Sequence, residues 1–111
     1  MDGFGLPKER LLRKTQEFSI VYRRGSRLRG KGFSLVVLAN NLSYSRLGIS
    51  VHGRIRGAVR RNRIKRIIRE NFRLHRNLFP GSCDIVFTVA PNFSLPTTEA
   101  VKEALAGLSE R

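Results

Sequence analysis

The sequence predicts a single α+β domain over residues 1–111, in which helices pack on one small sheet. The prediction rests on a length of 111 residues, an apolar share of 41%, and helical segments interspersed with segments rich in β-forming residues. The length suits one domain of about 100–150 residues, and the apolar share suffices for a modest core. We therefore expect a two-layer α/β sandwich with a central, mostly four-stranded sheet and helices packed on it.

The chain is expected to begin with an extended or flexible segment, residues 1–14, in which Pro7 opposes regular structure. A short helix follows. Thr15 is a candidate N-cap, and Glu17 lies in the first turn, where a negative charge interacts favourably with the helix dipole. Gly25 is expected to end this helix, whose apolar side chains follow the spacing i, i+3, i+4: Phe18, Val21 and Tyr22.

Two strands are predicted after the basic residues 26–32; whether residues 26–30 form a further short strand is left open. Residues 33–39 are rich in β-forming side chains, and residues 47–51 alternate between apolar and small or polar ones. Since the turn signal Asn40-Asn41 follows the first strand, the two are expected to pair as an antiparallel hairpin.

Residues 57–76 have a strong helical pattern. On a wheel of about 100° per residue, one apolar stripe contains Ile64, Ile67, Ile68 and Phe72. Eight of the 17 residues from 60 to 76 are Lys or Arg, and the side of the wheel opposite the stripe is basic. Pro80-Gly81 ends this helical segment.

The C-terminal part is predicted to add a strand and a helix. Residues 84–90 are almost continuously apolar, as is typical of a strand inside a sheet. Thr97 or Thr98 is a candidate N-cap for the last helix, whose inner face would contain Val101, Ala104, Leu105 and Leu108.

The charge distribution indicates a polyanion as partner. The formal net charge is +14; residues 1–76 contain 20 basic and 4 acidic side chains, and residues 77–111 contain 2 and 4. Such a patch fits nucleic acid or an anionic membrane surface. The apolar stripe of the basic helix is needed by the sheet, which disfavours a membrane. No helix-turn-helix partner precedes residue 60, which favours RNA over DNA.

The sequence contains no recognisable catalytic or metal-binding constellation. Cys83 is interpreted as a small buried side chain, and Ser50 and His52 have no acid that would orient the histidine. One cysteine and two separate histidines do not make a zinc site or an internal disulfide. There is no apolar run of about 20 residues and no apolar signal segment, so we expect a soluble cytoplasmic protein.

Residues 57–73 read Gly-Ala-Val-Arg-Arg-Asn-Arg-Ile-Lys-Arg-Ile-Ile-Arg-Glu-Asn-Phe-Arg. This segment closely resembles the signature of the protein subunit of bacterial ribonuclease P. Residues 17–25, 47–51 and 84–87 are similar to the first helix and two strands of that family. The resemblance implies a ribonucleoprotein endonuclease that removes the 5′ leader of precursor tRNA. It also implies that the RNA subunit cleaves with Mg²⁺, that the chain alone binds no cofactor, and that the fold contains a left-handed βαβ crossover.

Two sets of contact residues follow from the resemblance, with the RNA subunit and precursor tRNA as partners and neither DNA nor a membrane. The RNA subunit would be bound by the arginine-rich helix, through Arg60, Arg61, Asn62, Arg63, Lys65, Arg66, Arg69 and Arg73. The leader would lie in a cleft between the first helix and the sheet, lined by Lys14, Phe18, Tyr22, Phe33 and Val36.

Several details of these assignments stay open. From the residues alone, Phe18 and Phe33 fit the core as well as the cleft, whereas Tyr22 needs a partner for its hydroxyl group. Val36 stands where the family has an aromatic residue, and Gly53-Arg54 stands where many members have two lysines. A basic ribosomal or chaperone-like protein, which binds structured RNA without a role in cleavage, is the alternative.

Overall fold

The computed structural model describes residues 7–108 of the chain. In this range it has three helices, four strands and two 3₁₀ turns. One turn, Lys8–Arg10, precedes the first helix, and the other, Arg76–Leu78, follows the second helix. In chain order the elements are α1 (Thr15–Arg24), β1 (Ser26–Arg29), β2 (Phe33–Ala39), β3 (Arg46–Val51), α2 (Ala58–Leu74), β4 (Cys83–Val89) and α3 (Thr98–Leu108). The predicted α+β class is confirmed, and the short strand left open near residue 26 is present.

The four strands form one mixed sheet in the order β1-β2-β4-β3. Strand β4 pairs antiparallel with β2 and parallel with β3, so α2 forms the crossover of a βαβ unit. The predicted antiparallel hairpin between β2 and β3 is therefore wrong. The reason is that β4 contributes apolar side chains to both faces of the sheet and is almost entirely buried. A central position in the sheet buries these side chains better than an edge position does.

Helices cover both faces of this sheet. Helices α2 and α3 pack on one face, where the core contains Ile68, Phe72, Phe87 and Leu105, all inaccessible to solvent. Helix α1 packs on the other face over a smaller cluster: Leu12, Val21, Val36 and Val86. Because α1 has only 10 residues, it leaves part of that face uncovered.

The segment before α1 contains the 3₁₀ turn Lys8–Arg10 and is packed on the fold. Leu12 is 4% exposed, and its backbone N–H donates to the carbonyl oxygen of Leu47 on β3 at 2.8 Å. Residues 1–6 of the predicted flexible start lie outside the described range. Thr15 is the first helical residue rather than the cap, because the N–H groups of Arg13 and Lys14 are bound by the carboxylate of Glu17 at 3.0 and 3.1 Å.

An ion-pair network on the α1 side of the sheet joins β3 and β4 to each other and to α1. The guanidinium group of Arg46 on β3 donates two hydrogen bonds to the carboxylate of Asp84 on β4, at 2.8 and 2.6 Å. Asn40 donates a third to the same carboxylate at 2.9 Å. Arg46 also lies 3.6 Å from Glu17 of α1. Asp84 therefore has a structural role, and this role explains a carboxylate at a sheet position that is 9% exposed.

Candidate nucleic-acid interface

Helix α2 presents a dense cationic surface to solvent. Its apolar stripe is buried against the sheet through Ile64, Ile68 and Phe72, which directs the polar side chains outward. Glu70 is the single acid in the helix and pairs with Arg73 at 2.7 Å. The exposed members of the predicted contact set are Arg60, Asn62, Arg63, Arg66 and Arg69. Like charges at this density are unfavourable in isolation, as expected of a surface that binds a polyanion.

Arg61 has a different environment from the other arginines of α2. Its guanidinium group donates to the carbonyl oxygens of Val51, His52 and Ile55 at 3.2, 3.0 and 2.9 Å. These bonds hold the loop between β3 and α2 against the helix. They use both terminal nitrogen atoms of the guanidinium group. Arg61 thus has a structural role, and its contact with an RNA ligand stays a prediction. The helical wheel indicates this structural role, because Arg61 lies only about 60° from Ile64 of the apolar stripe.

The two edges of α2 border different depressions of the surface. Lys65 and Arg69 line a depression of about 220 Å³ together with Arg13 and Phe18. Arg63 and Arg66 line another of about 610 Å³, on the side of the loop that precedes α3. The basic surface of α2 therefore reaches the first helix at one edge and the opposite side of the molecule at the other.

A third depression lies on the part of the sheet that α1 leaves uncovered. We call it the sheet groove; its volume is about 460 Å³. Its polar side chains come from all four strands and the loops after β3 and β4: Arg27, Arg29, Ser34, Ser50, His52, Thr88 and Asn92. Arg27 and Arg29 alternate onto this face because they pair with Val36 and Ser34 of β2.

Phe18 and Tyr22 of the predicted cleft lie one turn apart on the side of α1 that faces the sheet. Phe18 is half-buried, with its ring against Gly48, where a Cβ atom would lie 2.7 Å from the ring. Tyr22 is 40% exposed, and its hydroxyl group is 3.1 Å from the hydroxyl group of Thr88 at the border of the sheet groove. Lys14, at the start of α1, is exposed. Tyr22 thus has both an accessible ring and the hydrogen-bond partner that its hydroxyl group needs.

Phe33 and Val36 are both buried, although Phe33 also borders the sheet groove, so their place in the leader cleft stays a prediction. The ring of Phe33 is 3% exposed and stacks on Phe87 at 4.8 Å between centroids, in the core under α2 and α3. Val36 has the opposite orientation and is 2% exposed beneath α1. Both results follow from strand alternation once the side of the sheet that α1 covers is known.

The sequence interpretation missed the sheet groove's own polar residues. Arg27 and Arg29 were assigned only to a basic segment, although their i, i+2 spacing is what a strand needs to place both on one face. Ser34 and Thr88 gave no local signal, because their proximity depends on the pairing of β2 with β4.

The surroundings of Cys83 do not activate its thiol. Burial, with a smaller effect of Asp84, raises the pKa of the Cys83 thiol, which disfavours the reactive thiolate form. Residues 7–108 contain no group of three or more His, Cys, Asp or Glu side chains that could hold a metal ion. Within the same residues, no helix is long and apolar enough to cross a membrane.

A mixed sheet crossed by a strongly cationic helix, with an open basic groove on its other face, defines a nucleic-acid-binding protein of the α+β class. Comparison with known proteins narrows this class. The sequence model of the family described as Ribonuclease P matches residues 6–111. The chain belongs to the ribonuclease P protein family.

Individual relatives agree with this assignment. The chain is 53% identical over 108 residues to the ribonuclease P protein component of Desulfotalea psychrophila, which covers 97% of this chain and 90% of that protein. It is 44% identical over 94 residues to that of Syntrophus aciditrophicus, covering 85% and 79%. Among solved structures, the RNase P protein of Staphylococcus aureus superposes with a TM-score of 0.78 at 30% identity, covering 91% and 93%.

The fold is also similar to the RNase P protein of Thermotoga maritima in complex with 1-(4-fluorophenyl)-2-thiourea. That comparison has a TM-score of 0.78 at 33% identity and covers 90% of this chain and 97% of that chain. The function of the family is removal of the 5′ leader of tRNA precursors together with an RNA subunit, which carries out the cleavage. Ribonuclease P RNA and tRNA precursors are accordingly the general partners of such a protein.

Proposed function

We propose that this chain binds its RNA subunit through the exposed basic surface of α2 and the 5′ leader of precursor tRNA between α1 and the sheet. The observation that supports the first part most directly is the uncompensated charge of α2, where Glu70 is the single acid in 17 residues. Arginine presents a planar fork that suits phosphate oxygens and stacks on bases, which fits a structured RNA.

The edge of α2 that carries Arg63 and Arg66, with Arg60 and Asn62 beside it, is the proposed main contact with the RNA subunit. Lys65 and Arg69 line the same depression as Phe18. We assign them to the boundary where the RNA subunit and the leader come together. Arg73 contributes less, because Glu70 already neutralises part of its charge at 2.7 Å.

The leader is proposed to pass along α1, with Lys14 on its phosphates and its bases against Phe18 and Tyr22. Stacking on aromatic rings accepts any base, as a leader of variable sequence requires. The Mg²⁺ of the reaction is assigned to the RNA subunit, because the chain's proposed role is to hold RNA. We also propose that the particle acts in the cytoplasm.

The overall proposal is tested by reconstitution. Added to a ribonuclease P RNA and precursor tRNA at low Mg²⁺, the protein is expected to stimulate 5′ cleavage. The alternative, a structured-RNA binder without a role in cleavage, predicts binding with no stimulation relative to RNA alone. That result would overturn the proposed function.

The α2 contact is tested by the double substitution of Arg66 and Arg69 with Ala. Both side chains are exposed, so the variant is expected to fold and to bind the RNA subunit more weakly. The slope of log K against log salt should flatten by about 0.7–0.9 per lost phosphate contact. Lys102→Ala on α3 is a control that removes a cation outside this surface. An unchanged affinity and slope in the folded double variant would count against the assignment.

The leader contact is tested by Tyr22→Ala. Loss of one stacked base is expected to weaken precursor tRNA binding by about 1–3 kcal/mol while mature tRNA binding and assembly with the RNA subunit stay the same. Ile20→Ala is a matched control, because Ile20 is 41% exposed on the same helix and Tyr22 is 40% exposed. The measured quantity is the ratio of the two tRNA affinities in the holoenzyme; if Tyr22→Ala leaves it unchanged, the leader runs elsewhere.

A further inference from the structure

One line of polar side chains crosses the whole sheet at the floor of the sheet groove. Arg29 of β1 pairs with Ser34 of β2, Ser34 pairs with Thr88 of β4, and Thr88 pairs with Ser50 of β3. Each residue is the register partner of the next, so the four Cα atoms lie in a row perpendicular to the strands. We call Ser34, Thr88 and Ser50 the hydroxyl row.

The row faces the groove rather than the main core. Val36 and Val86, two residues along their strands from Ser34 and Thr88, pack under α1. Gly48, two residues before Ser50, contacts Phe18 of the same helix. Side chains two residues apart on a strand share a face, so all three hydroxyl groups lie on the α1 side, at the part of the sheet that α1 leaves open.

These hydroxyl groups have unused hydrogen-bonding capacity. The three residues are half-buried and line the groove of about 460 Å³. Thr88 bonds to Tyr22 at 3.1 Å, whereas within residues 7–108 the side chains of Ser34 and Ser50 have no hydrogen-bond partner. Hydroxyl groups that are half-buried without a protein partner can bond to a ligand in the groove, each both as donor and as acceptor.

We infer that the hydroxyl row binds ribose 2′-hydroxyl groups of the leader and makes the protein select an RNA leader over a DNA leader. This inference rests on the proposed function of the cleft. Phosphate contacts from Arg27 and Arg29 are the same for both nucleic acids, and stacking on Tyr22 depends on the base alone. The 2′-hydroxyl is the group that distinguishes the two, and it too is both donor and acceptor.

The dimensions of the row agree with a single strand. Adjacent strands are separated by about 4.8 Å, so three residues on three neighbouring strands span about 10 Å. That length corresponds to about three internucleotide steps at a stacked spacing of roughly 3.4 Å. Arg29 at one end of the row places a cation where the phosphate backbone continues.

The experiment measures binding of three ligands to the reconstituted holoenzyme: precursor tRNA with an all-ribose leader, the same precursor with a 2′-deoxy leader, and mature tRNA. The wild-type protein is expected to bind the ribose leader at least fivefold more tightly than the deoxy leader. This figure follows because each hydrogen bond to a 2′-hydroxyl group is expected to raise the affinity about 2- to 10-fold. The triple variant Ser34→Ala, Ser50→Ala, Thr88→Val should bring this ratio close to one, because the ribose complex loses more affinity than the deoxy complex. Ser19→Ala, an exposed position on α1, is the hydroxyl-removing control.

The outcomes separate this inference from the proposed function. If the wild-type protein does not prefer precursor to mature tRNA, the leader role itself is wrong. If it does, but the ribose and deoxy leaders bind equally, or the triple variant loses affinity for both alike, the hydroxyl row has no such role. Should the triple variant fail to fold, Ser34→Ala and Ser50→Ala are measured singly, and Thr88→Ser, which retains a hydroxyl group, is expected to keep the preference. A preference that changes with the bases of the leader would indicate base-edge contacts and overturn the inference.

Discussion

At the scale of single residues, Glu17 illustrates how one side chain both begins a helix and joins layers of the fold. Its carboxylate accepts the backbone N–H groups of Lys14 and Arg13 and lies 3.6 Å from Arg46. The N–H of Lys14 has the largest effect in lowering the pKa of Glu17; partial burial opposes it, and Arg13 and Arg46 lower the pKa further. The charged form is therefore favoured by folding.

We predict that Glu17→Ala lowers the free energy of unfolding at pH 7 by about 0.5–2 kcal/mol, the usual effect of losing an N-terminal cap. A carboxyl whose pKa is lowered on folding stabilises the protein above its unfolded-state pKa, and this contribution disappears as pH falls through the folded-state pKa. The difference between the two proteins should consequently narrow below about pH 4. Urea unfolding of both proteins at pH 7 and pH 3 measures it; a difference that does not depend on pH would contradict the prediction.

At the scale of the element, α2 combines a structural edge with a binding surface. Arg61 holds three carbonyl oxygens of the β3–α2 loop, whereas Arg66 is exposed. The helix also joins α3 through Asn71, whose amide nitrogen donates to the carbonyl oxygen of Thr98 at 3.1 Å. Neighbouring arginines of one basic run thus have separate roles, which depend on the side of the helix they occupy.

Arg61→Ala is expected to lower the free energy of unfolding by about 1–3 kcal/mol, because partly buried carbonyl oxygens lose a charged donor. Arg66→Ala should change it by less than about 0.5 kcal/mol, as is usual for an exposed side chain. Denaturant unfolding of the two variants beside the wild-type protein makes the comparison. Equal stability of the two variants would mean that the guanidinium bonds of Arg61 contribute nothing.

At the scale of the whole molecule, the net charge of +14 sets the conditions under which the protein is stable. Self-repulsion of this size opposes compaction, and any anion that binds only the folded state stabilises it by mass action. The depression beside Arg63 and Arg66 of α2 and the basic sheet groove are concave sites for such anions. Stability and RNA binding are therefore linked in this protein.

We predict that sulfate raises the melting temperature by several degrees more than sodium chloride at the same ionic strength. Screening of charge is common to both salts, whereas binding of a divalent oxyanion at 100 times its Kd adds about 2.7 kcal/mol. One kcal/mol corresponds to about 4–8 °C for a domain near this size. Melting curves in the two salts measure the effect; identical curves would leave screening as the complete explanation.

The sequence by itself determined the helices, the limits of the main strands and the chemistry of the basic surface. These features are local: the apolar stripe of α2 and its run of arginines lie within 17 residues and are legible from spacing alone. The resemblance of residues 57–73 to the ribonuclease P signature is local in the same sense, and the comparisons confirmed it. Even the outlier Arg61 is explained by its position on the helical wheel.

Only the tertiary structure decided what the strands bring together. Spacing along the chain favoured a hairpin of β2 with β3, yet β4 inserts between them from more than 30 residues away. That order places the ring of Phe33 in the core and aligns Ser34, Thr88 and Ser50 in one row. The physical reason is that strand alternation assigns residues to two faces, but which face is covered, and by which helix, depends on contacts between segments distant in the chain.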